Sequence, residues 1–242
     1  MNIWGITDVG VVRKQNQDNY HIELLAEDMA LGIVCDGMGG AKAGNVASQL
    51  AVETFLDTAN AQSPEQWRNE PEALLHFAAE QANGAVHFRA SVDADCRGMG
   101  TTMVVALAIG NQAYILNIGD SRCYLVRPEG ISRVTRDHSV VEDLVARGQI
   151  TPEQARQHPQ KNLITRALGA ESQLRADLFR QSVEPGDALL LCSDGLSNVV
   201  SDQELLYEVL HGGPAEDCCR RLLDIALSRG APDNVTAVLL QM

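Results

Sequence analysis

Residues 33–40 read IVCDGMGG, an apolar run that stops at a single acid in a loop containing three glycines. Two other stretches repeat this arrangement, LNIGDSR at 116–122 and LLLCSDGL at 189–196. Short runs rich in Val, Ile and Leu are typical of buried strands. The pattern therefore predicts three strands, each of which ends near an aspartate beside a glycine: Asp36, Asp120 and Asp194.

The composition limits the class of protein. Of 242 residues, 45% are apolar and only 4% aromatic, so a core would be mostly aliphatic. The longest apolar run, MVVALAI at 103–109, is far shorter than the roughly 20 residues of a membrane-spanning helix. The N-terminus shows no basic segment followed by an apolar one, and the six cysteines form no CxxC pair. We therefore expect a cytoplasmic protein without a membrane segment, a secretory signal or a disulfide framework.

The formal net charge of the chain is −13 at pH 7. This charge argues against nucleic acid as a partner, because the phosphates would be repelled. It leaves two interpretations open: acids that keep the surface soluble, or a subset of acids that binds cations. The total charge does not choose between them, whereas the positions of the acids can.

Strand-like and helix-like patterns alternate in blocks along the chain. The strand-like runs fall at 3–10, 19–25, 30–35, 101–109, 112–118, 123–127, 130–135, 188–192 and 234–242. Short links at 110–112 and 127–130 predict hairpins, and therefore antiparallel strands. Helical spacing of apolar residues covers 43–58, 71–89 and 215–228. We predict one α+β domain over residues 1–242, with sheets packed face to face and helices outside.

Residues 137–170 differ from the rest because they are polar and only weakly periodic. TPEQ at 151–154 predicts the start of a helix, with a Thr cap and Pro at the first helical position. So long a polar connection between strands is often a lid or a binding loop. Composition alone leaves a surface insertion without a role equally open.

Aspartates at strand ends are the candidate functional residues. They are Asp18, Asp36, Asp120, Asp194 and Asp233. Any one of them is best explained as a turn residue that bonds nearby backbone amides. Their number weakens that explanation, as do the small neighbours Gly37, Gly119 and Gly195, which let backbone or ligand approach closely. Converging carboxylates stay ionised only beside cations, and all-oxygen ligation favours Mg²⁺, Mn²⁺ or Ca²⁺.

Seven short motifs match a known family in order. They are Arg13-x-x-Asn16-x-Asp18, Asp36-Gly37-Met38-Gly39-Gly40, Gly100-Thr101-Thr102, Gly119-Asp120-Ser121-Arg122, Asp137-His138-Ser139, Ser193-Asp194-Gly195-Leu196 and Asp233-Asn234. With them, nearly the whole chain resembles the metal-dependent PPM/PP2C-type serine/threonine protein phosphatases, especially the small stand-alone bacterial members. One such motif would be weak, but seven in the family's order are highly specific.

The resemblance implies a four-layer α–β–β–α sandwich with metal ions in a cleft at one edge. By the matched motifs, Asp36 would bridge two Mn²⁺ or Mg²⁺ ions. The Gly37 carbonyl and Asp18 would serve one ion, and Asp194 and Asp233 the other. Asp120 would complete a weaker third site with Asp194, and residues 139–170 would form the family's flap.

The resemblance also implies a mechanism. A water between two divalent cations is acidic enough to attack phosphorus directly, without a covalent phosphoenzyme. Arg13 would grip the phosphoryl oxygens, since its planar fork suits them. Met38 and Ala41 stand where many members carry histidines, so no histidine is expected to protonate the leaving oxygen. His138 is expected to support the base of the flap.

The expected substrates are phosphorylated proteins, and the expected partner system is an opposing Ser/Thr kinase. We also expect a monomer. A hydrolase of this fold for small phosphate esters is the nearest alternative. A pseudophosphatase scaffold would be expected to have lost an acid, and a calcium-binding regulator lacks its DxDxDG loop.

Overall fold

A computed structural model describes residues 1–39 and 43–242, so Gly40 and Ala41 of the sequence motifs lie outside the described residues. The described strands form two antiparallel sheets. The first has the order β1 (Asn2–Asp8), β11 (Val235–Gln241), β10 (Ala188–Cys192), β7 (Arg122–Arg127) and β8 (Gly130–Arg133). The second has the order β2 (Asp18–Ala26), β3 (Met29–Met38), β5 (Met103–Ile109), β6 (Gln112–Ile118) and β9 (Asp177–Ser182), with β4 (Gly100–Thr101) pairing with the end of β3.

The strand that ends near Asp36, β3, is buried on both faces. Leu31 and Ile33 point into the core beneath the helices, whereas Ala30 and Val34 point into the core between the sheets. A strand covered on both sides reads as a continuous apolar run rather than an alternating one. This double burial explains why the sequence before Asp36 is uniformly apolar, and it gives the acid a rigid support.

Helices cover the outer face of each sheet. In chain order the helices are α1 (Ala43–Asn60), α2 (Pro64–Asn69), α3 (Pro71–Val92), a 3₁₀ turn (Ala94–Cys96), α4 (Val140–Ala146), α5 (Pro152–Arg156), α6 (Asp194–Ser197), α7 (Asp202–His211) and α8 (Ala215–Ser228). Helices α1 and α3 pack on the second sheet, and α7 and α8 on the first. The prediction of an α+β, four-layer α–β–β–α sandwich is confirmed.

Several described elements lie outside the predicted ranges, among them β9, α2 and α7. Strand β9 has only two apolar residues and is an edge strand, so its pairing with β6 rather than its own pattern defines it. Helix α2 lies in what looks like a linker, where Ser63 and Gln66 form a capping box and Trp67 is buried. Helix α7 begins after Ser201, whose amide and hydroxyl donate to Glu204 Oε2 at 3.0 and 2.7 Å. Both caps were visible in the sequence as Ser followed three residues later by Gln or Glu.

Several local predictions are confirmed. The two predicted hairpins connect β5 to β6 and β7 to β8. Thr151 caps α5 through a capping box, as TPEQ indicates. Apart from these predictions, Cys218 and Cys219 are fully buried in the core beneath α8, and all six cysteines are free thiols. No helix among the described residues is long and apolar enough to cross a membrane.

Candidate metal and phosphate site

Asp18 and Asp36 face each other across the pair β2 and β3. Like charges directly opposite each other destabilise a sheet, so this pairing calls for a functional explanation. Burial raises the pKa of Asp18, the charges of Asp194 and Asp233 contribute in the same direction, and the resulting pKa is about 7. Ser193 Oγ and Thr236 Oγ1 oppose this by donating hydrogen bonds of 2.7 and 2.6 Å to Asp18 Oδ2.

Backbone contacts fix the position of Asp36. Its amide donates to Thr102 Oγ1 at 2.9 Å, and its carbonyl accepts from the Thr102 amide at 2.8 Å. The same carbonyl accepts from Thr101 Oγ1 at 2.9 Å, and Thr102 Oγ1 lies 2.7 Å from Ser121 Oγ. Because Thr102 makes these bonds, the predicted strand 101–109 is interrupted there. The Gly-Thr-Thr motif therefore acts as a support for Asp36.

Charge effects show that the five predicted aspartates share one region. The pKa of Asp36 lies well above its ordinary value, first because the carboxyl is buried. The charges of four other aspartates add to this shift: Asp18, Asp194, Asp120 and Asp233. Such mutual effects require short separations in a buried setting. Thus the fold brings together acids that span more than 200 positions of the chain.

Asp194 enters the cluster from the first turn of α6. Burial raises the pKa of Asp194, and the charge of Asp233 adds to this. Asn198 Nδ2 donates to Asp194 Oδ2 at 3.1 Å. The adjacent Gly195 allows this turn to pack on the final strand, since a Cβ there would lie 1.9 Å from the Asn234 carbonyl oxygen.

Asp120 follows Gly119, whose φ of +105° favours glycine. A Cβ at Gly119 would also lie 2.5 Å from Thr102 Cγ2, so the loop packs directly on the support of Asp36. Burial raises the pKa of Asp120 to about 7, with further contributions from Asp194 and Asp137. Asp120 therefore belongs to the cluster on the side of Asp194.

Gly37 is required by packing as well as by the predicted metal site. A Cβ at this position would lie 2.0 Å from the carbonyl oxygen of Gly44, in the first turn of α1. The Gly37 amide donates to the Gln17 carbonyl at 3.0 Å. Small residues beside the aspartates were expected to permit close approach. At Gly37 and Gly195 the atoms that approach closely are backbone atoms, and at Gly119 they belong mainly to the Thr102 side chain.

Arg13 lies at the rim of the cluster. Its Nη2 donates to Asp233 Oδ2 at 2.7 Å, and its side chain is 53% exposed. The pKa of Arg13 is raised by Asp233 first, with smaller contributions from Asp36 and Asp194. A half-exposed guanidinium held against the cluster is available to a phosphoryl group that arrives from solvent.

Asn234 is a supporting residue that the sequence analysis quoted without assigning a role. Its Oδ1 accepts from the Gln17 amide at 2.8 Å, and its Nδ2 donates to the carbonyls of Val9 and Gln15 at 2.9 and 3.0 Å. These bonds fold the segment that carries Arg13 over the start of β11. Its place in the Asp-Asn motif was the only available signal.

His138 is held at both ring nitrogens. Nδ1 accepts from the Gly119 amide at 3.1 Å, and Nε2 lies 3.1 Å from Asp177 Oδ2. Burial lowers the pKa of His138. Its backbone also bonds to Gly119 and to Thr165. The residue therefore joins the Asp120 loop to the end of the predicted flap, in keeping with a supporting role.

The donor set fits a hard divalent cation. Its side-chain members are carboxylates, and two buried oxygens, Asp18 Oδ1 and Asp194 Oδ1, have no hydrogen-bond partner among the described residues. Over the same residues, no three acidic, histidine or cysteine side chains form a preformed metal site. The carboxylates nevertheless converge on one region and leave these two buried oxygens unpaired. Oxygen donors of this kind suit Mg²⁺, Mn²⁺ or Ca²⁺.

The chain is similar to known protein phosphatases in sequence and in fold. The family model for protein phosphatase 2C matches residues 12–239. Protein phosphatase PhpP of Streptococcus pneumoniae is 40% identical over 252 residues, covering 100% of this chain and 98% of its own length. The crystal structure of the serine/threonine phosphatase Stp1 from Staphylococcus aureus is 36% identical, with a TM-score of 0.91, and the match covers 100% of this chain and 95% of that one.

A further solved structure bears on metal binding. The catalytic domain of serine threonine protein phosphatase PstP, in complex with two manganese ions, is 36% identical to this chain. The match has a TM-score of 0.85 and covers 98% of this chain and 96% of that one. With the family model spanning nearly the full sequence, the chain belongs to the protein phosphatase 2C family.

Proposed function

We propose that this chain hydrolyses phosphoserine and phosphothreonine in proteins with the help of two divalent cations. The observation that carries the proposal is the cluster of five mutually repelling aspartates with an arginine at its rim. A purely structural cluster would be costly, because buried carboxylates without compensation destabilise a fold. The free-energy cost of the cluster is explained if bound cations compensate its charges.

The ligands are assigned from the matched motifs and the geometry together. Asp36 is the bridging residue, because the charges of all four other aspartates act on it. Asp18 and the carbonyl of Gly37 belong to one ion, and Asp194 and Asp233 to the other. Asp120 is proposed for a third ion together with Asp194. When bound, Mn²⁺ or Mg²⁺ ions activate water and offset the charge of the phosphoryl group.

The remaining roles fall to residues around the cluster. Arg13 binds the phosphoryl oxygens by charge-assisted hydrogen bonds and orients the phosphorus toward the aspartates. Its partner Asp233 keeps the guanidinium in place at 2.7 Å. His138 is not assigned as the general acid, because Gly119 and Asp177 engage both of its ring nitrogens. Met38 ends β3 and carries no proton to donate.

The cellular setting is proposed from the relatives. They are named serine/threonine phosphatases. On this basis we propose that the chain opposes a Ser/Thr protein kinase. We propose a monomer that works in the cytoplasm. Residues 139–170 are proposed as a flap beside the site, since α4 and α5 lie there on an otherwise irregular segment.

The test is phosphate release from a phosphothreonine peptide and from a small aryl phosphate. Chelation should abolish both activities, and Mn²⁺ or Mg²⁺ should restore them. Retained activity after exhaustive chelation would overturn the metal-dependent mechanism. Turnover of the aryl phosphate alone, with no peptide activity, would favour a hydrolase of small esters instead.

A further inference from the structure

A cleft of about 530 Å³ adjoins the aspartate cluster. Asp120 and Asp194 line it on one side, and Arg156 and Lys161 of the proposed flap also contribute to its walls. A substrate whose phosphoryl group reaches the cluster therefore has this cleft next to it. The residues that line the cleft therefore influence which peptide segments can bind there.

Charge is unevenly distributed along the chain. Residues 122–180 contain ten of the 19 Lys and Arg residues but only seven of the 32 acids, a formal charge of +3 in a chain of −13. This segment includes β7, β8, the proposed flap and β9. An otherwise acidic protein thus presents its most basic segment beside the site.

Most arginines of the cleft are already neutralised by carboxylates. Arg122 forms a two-pronged pair with Asp137, at 2.7 Å for the shortest contact, and Arg133 pairs with Glu142 at 2.7 Å. Arg229 pairs with Glu204. These three side chains are occupied and offer little net charge to a ligand.

Arg156 and Lys161 differ from those arginines. Over residues 1–39 and 43–242, neither side chain makes a hydrogen bond or an ion pair, although the charge of Arg156 makes a minor contribution to lowering the pKa of Glu153 on the same short helix. Both residues are exposed. Two cations without a carboxylate partner on a cleft wall leave their charge available to an anion.

A second cavity, lined partly by other residues of the proposed flap, provides the contrast. It has a volume of about 270 Å³ and is also lined by arginines. There Arg166 pairs with Asp177 at 2.8 Å and Arg136 with Asp143 at 3.1 Å, while Arg175 lies 3.5 Å from Glu171. Every arginine of that cavity has an acidic partner, so unpaired cations are a feature of the cleft beside the cluster.

We propose that Arg156 and Lys161 form an anion subsite that binds a second acidic group of the phosphoprotein substrate. The group is a carboxylate side chain or a second phosphoryl near the one that is hydrolysed. The preferred substrates are therefore acidic or multiply phosphorylated segments. This inference rests on the proposed function and adds a substrate class to it.

The experiment compares three phosphothreonine peptides: one with neutral flanking residues, one with flanking glutamates and one with a second phosphothreonine. The measured quantity is the ratio of kcat/KM for each acidic peptide to kcat/KM for the neutral one, so a general loss of activity cancels. Two exposed ion pairs should make this ratio roughly three- to tenfold in the unaltered enzyme. The preference should shrink as salt is added, because exposed charges are screened.

The double variant Arg156→Gln with Lys161→Gln should bring the ratio close to one. Arg147→Gln is the matched control, since Arg147 is exposed in the same segment but does not line the cleft. A double variant that keeps the full preference, or a control that loses it, would overturn the subsite. If kcat/KM is higher only for the doubly phosphorylated peptide, the second acidic group is a phosphoryl group. If none of the three peptides is hydrolysed, the result counts against the proposed function instead.

Discussion

The aspartate cluster and the segment 139–170 are built in opposite ways. In the cluster, Asp18 accepts bonds from Ser193 and Thr236, which lie 175 and 218 positions away in the sequence. In the segment, the bonds that shape the helices join residues three apart, such as Thr151 to Gln154. The bridges Ser139 to Ile164 and Thr101 to Leu168 tie the segment to itself and to β4.

The difference separates two tasks. The cluster holds repelling charges in fixed positions because residues of both sheets contribute to it. Distorting the cluster would therefore disturb the packed core. The segment 139–170 is shaped mainly by local contacts, so it can change without disturbing the sheets. We infer that the cluster provides the chemistry and that the segment provides recognition.

The largest expected effect is at the centre of the cluster. Asp36→Asn should lower kcat by roughly a thousandfold or more, because it removes the charge on which the other four aspartates act. Phosphate release from a phosphothreonine peptide measures this. Thermal unfolding with a chelator present should show that the variant is no less stable than the unaltered protein, since a buried charge has been removed.

Asp57→Asn is the control for this change, because Asp57 is an exposed acid of α1 far from the motifs. It should leave kcat unchanged. If Asp36→Asn retained near-normal turnover, the cluster would not be the catalytic centre, and the comparison between the two regions would fail.

A smaller loss of activity is expected when Arg13, at the rim of the aspartate cluster, is replaced. Arg13→Ala should lower kcat/KM by roughly 10- to 100-fold, mainly through KM, as the loss of charge-assisted hydrogen bonds to a phosphoryl group would produce. Steady-state kinetics on a phosphopeptide measure it. Lys14→Ala, an exposed neighbouring cation, should have little effect. If both variants lose the same factor in kcat/KM, Arg13 contributes only to the positive charge of the region and does not bind the phosphoryl group directly.

A pair of glycine substitutions tests how tightly the cluster is packed. Gly195→Ala should destabilise the protein by about 1–3 kcal/mol, because the added Cβ would meet the Asn234 carbonyl oxygen. Gly84→Ala, in α3, should stabilise it by about 0.5–1 kcal/mol, since nothing lies within 4 Å of the added Cβ. Denaturant unfolding measures both. Equal and small changes would show that the turn at Asp194 is looser than the structure indicates.

The smallest effect compares two helix caps. Thr151→Ala removes a capping box and Ser201→Ala removes the hydroxyl that donates to Glu204, and each change costs about 1 kcal/mol. At Ser201 the loss should lower global stability, because α7 packs on the core through Leu205. At Thr151 it should only speed amide exchange in α5, since that helix has no buried residue.

Denaturant unfolding and hydrogen exchange together separate the two outcomes. We expect the amides of 139–170 to exchange faster than those of β3 and β5 in the unaltered protein as well. A loss of global stability in Thr151→Ala would show that the segment is coupled to the core, and that the two regions are less distinct than proposed.

The sequence by itself determined the fold class and the family. Apolar runs ending at Asp36, Asp120 and Asp194 predicted the strands, short links predicted their antiparallel pairing, and seven ordered motifs predicted a phosphatase of this family. These signals are local, since propensity, periodicity and turn chemistry act over a few residues. For the same reason β9 escaped prediction, because its own pattern is weak and its pairing with β6 defines it.

Only the tertiary structure decided how the acids are held together. No spacing in the sequence reveals that Thr102 supports the backbone of Asp36, or that Thr236 and Ser193 donate to one oxygen of Asp18. Nor could it reveal that Arg156 and Lys161, within the part of the chain that the structure describes, lack the carboxylate partners that Arg122 and Arg133 have. Hydrogen bonds, burial and charge effects depend on distances in space, and chain folding brings residues close that the sequence keeps far apart.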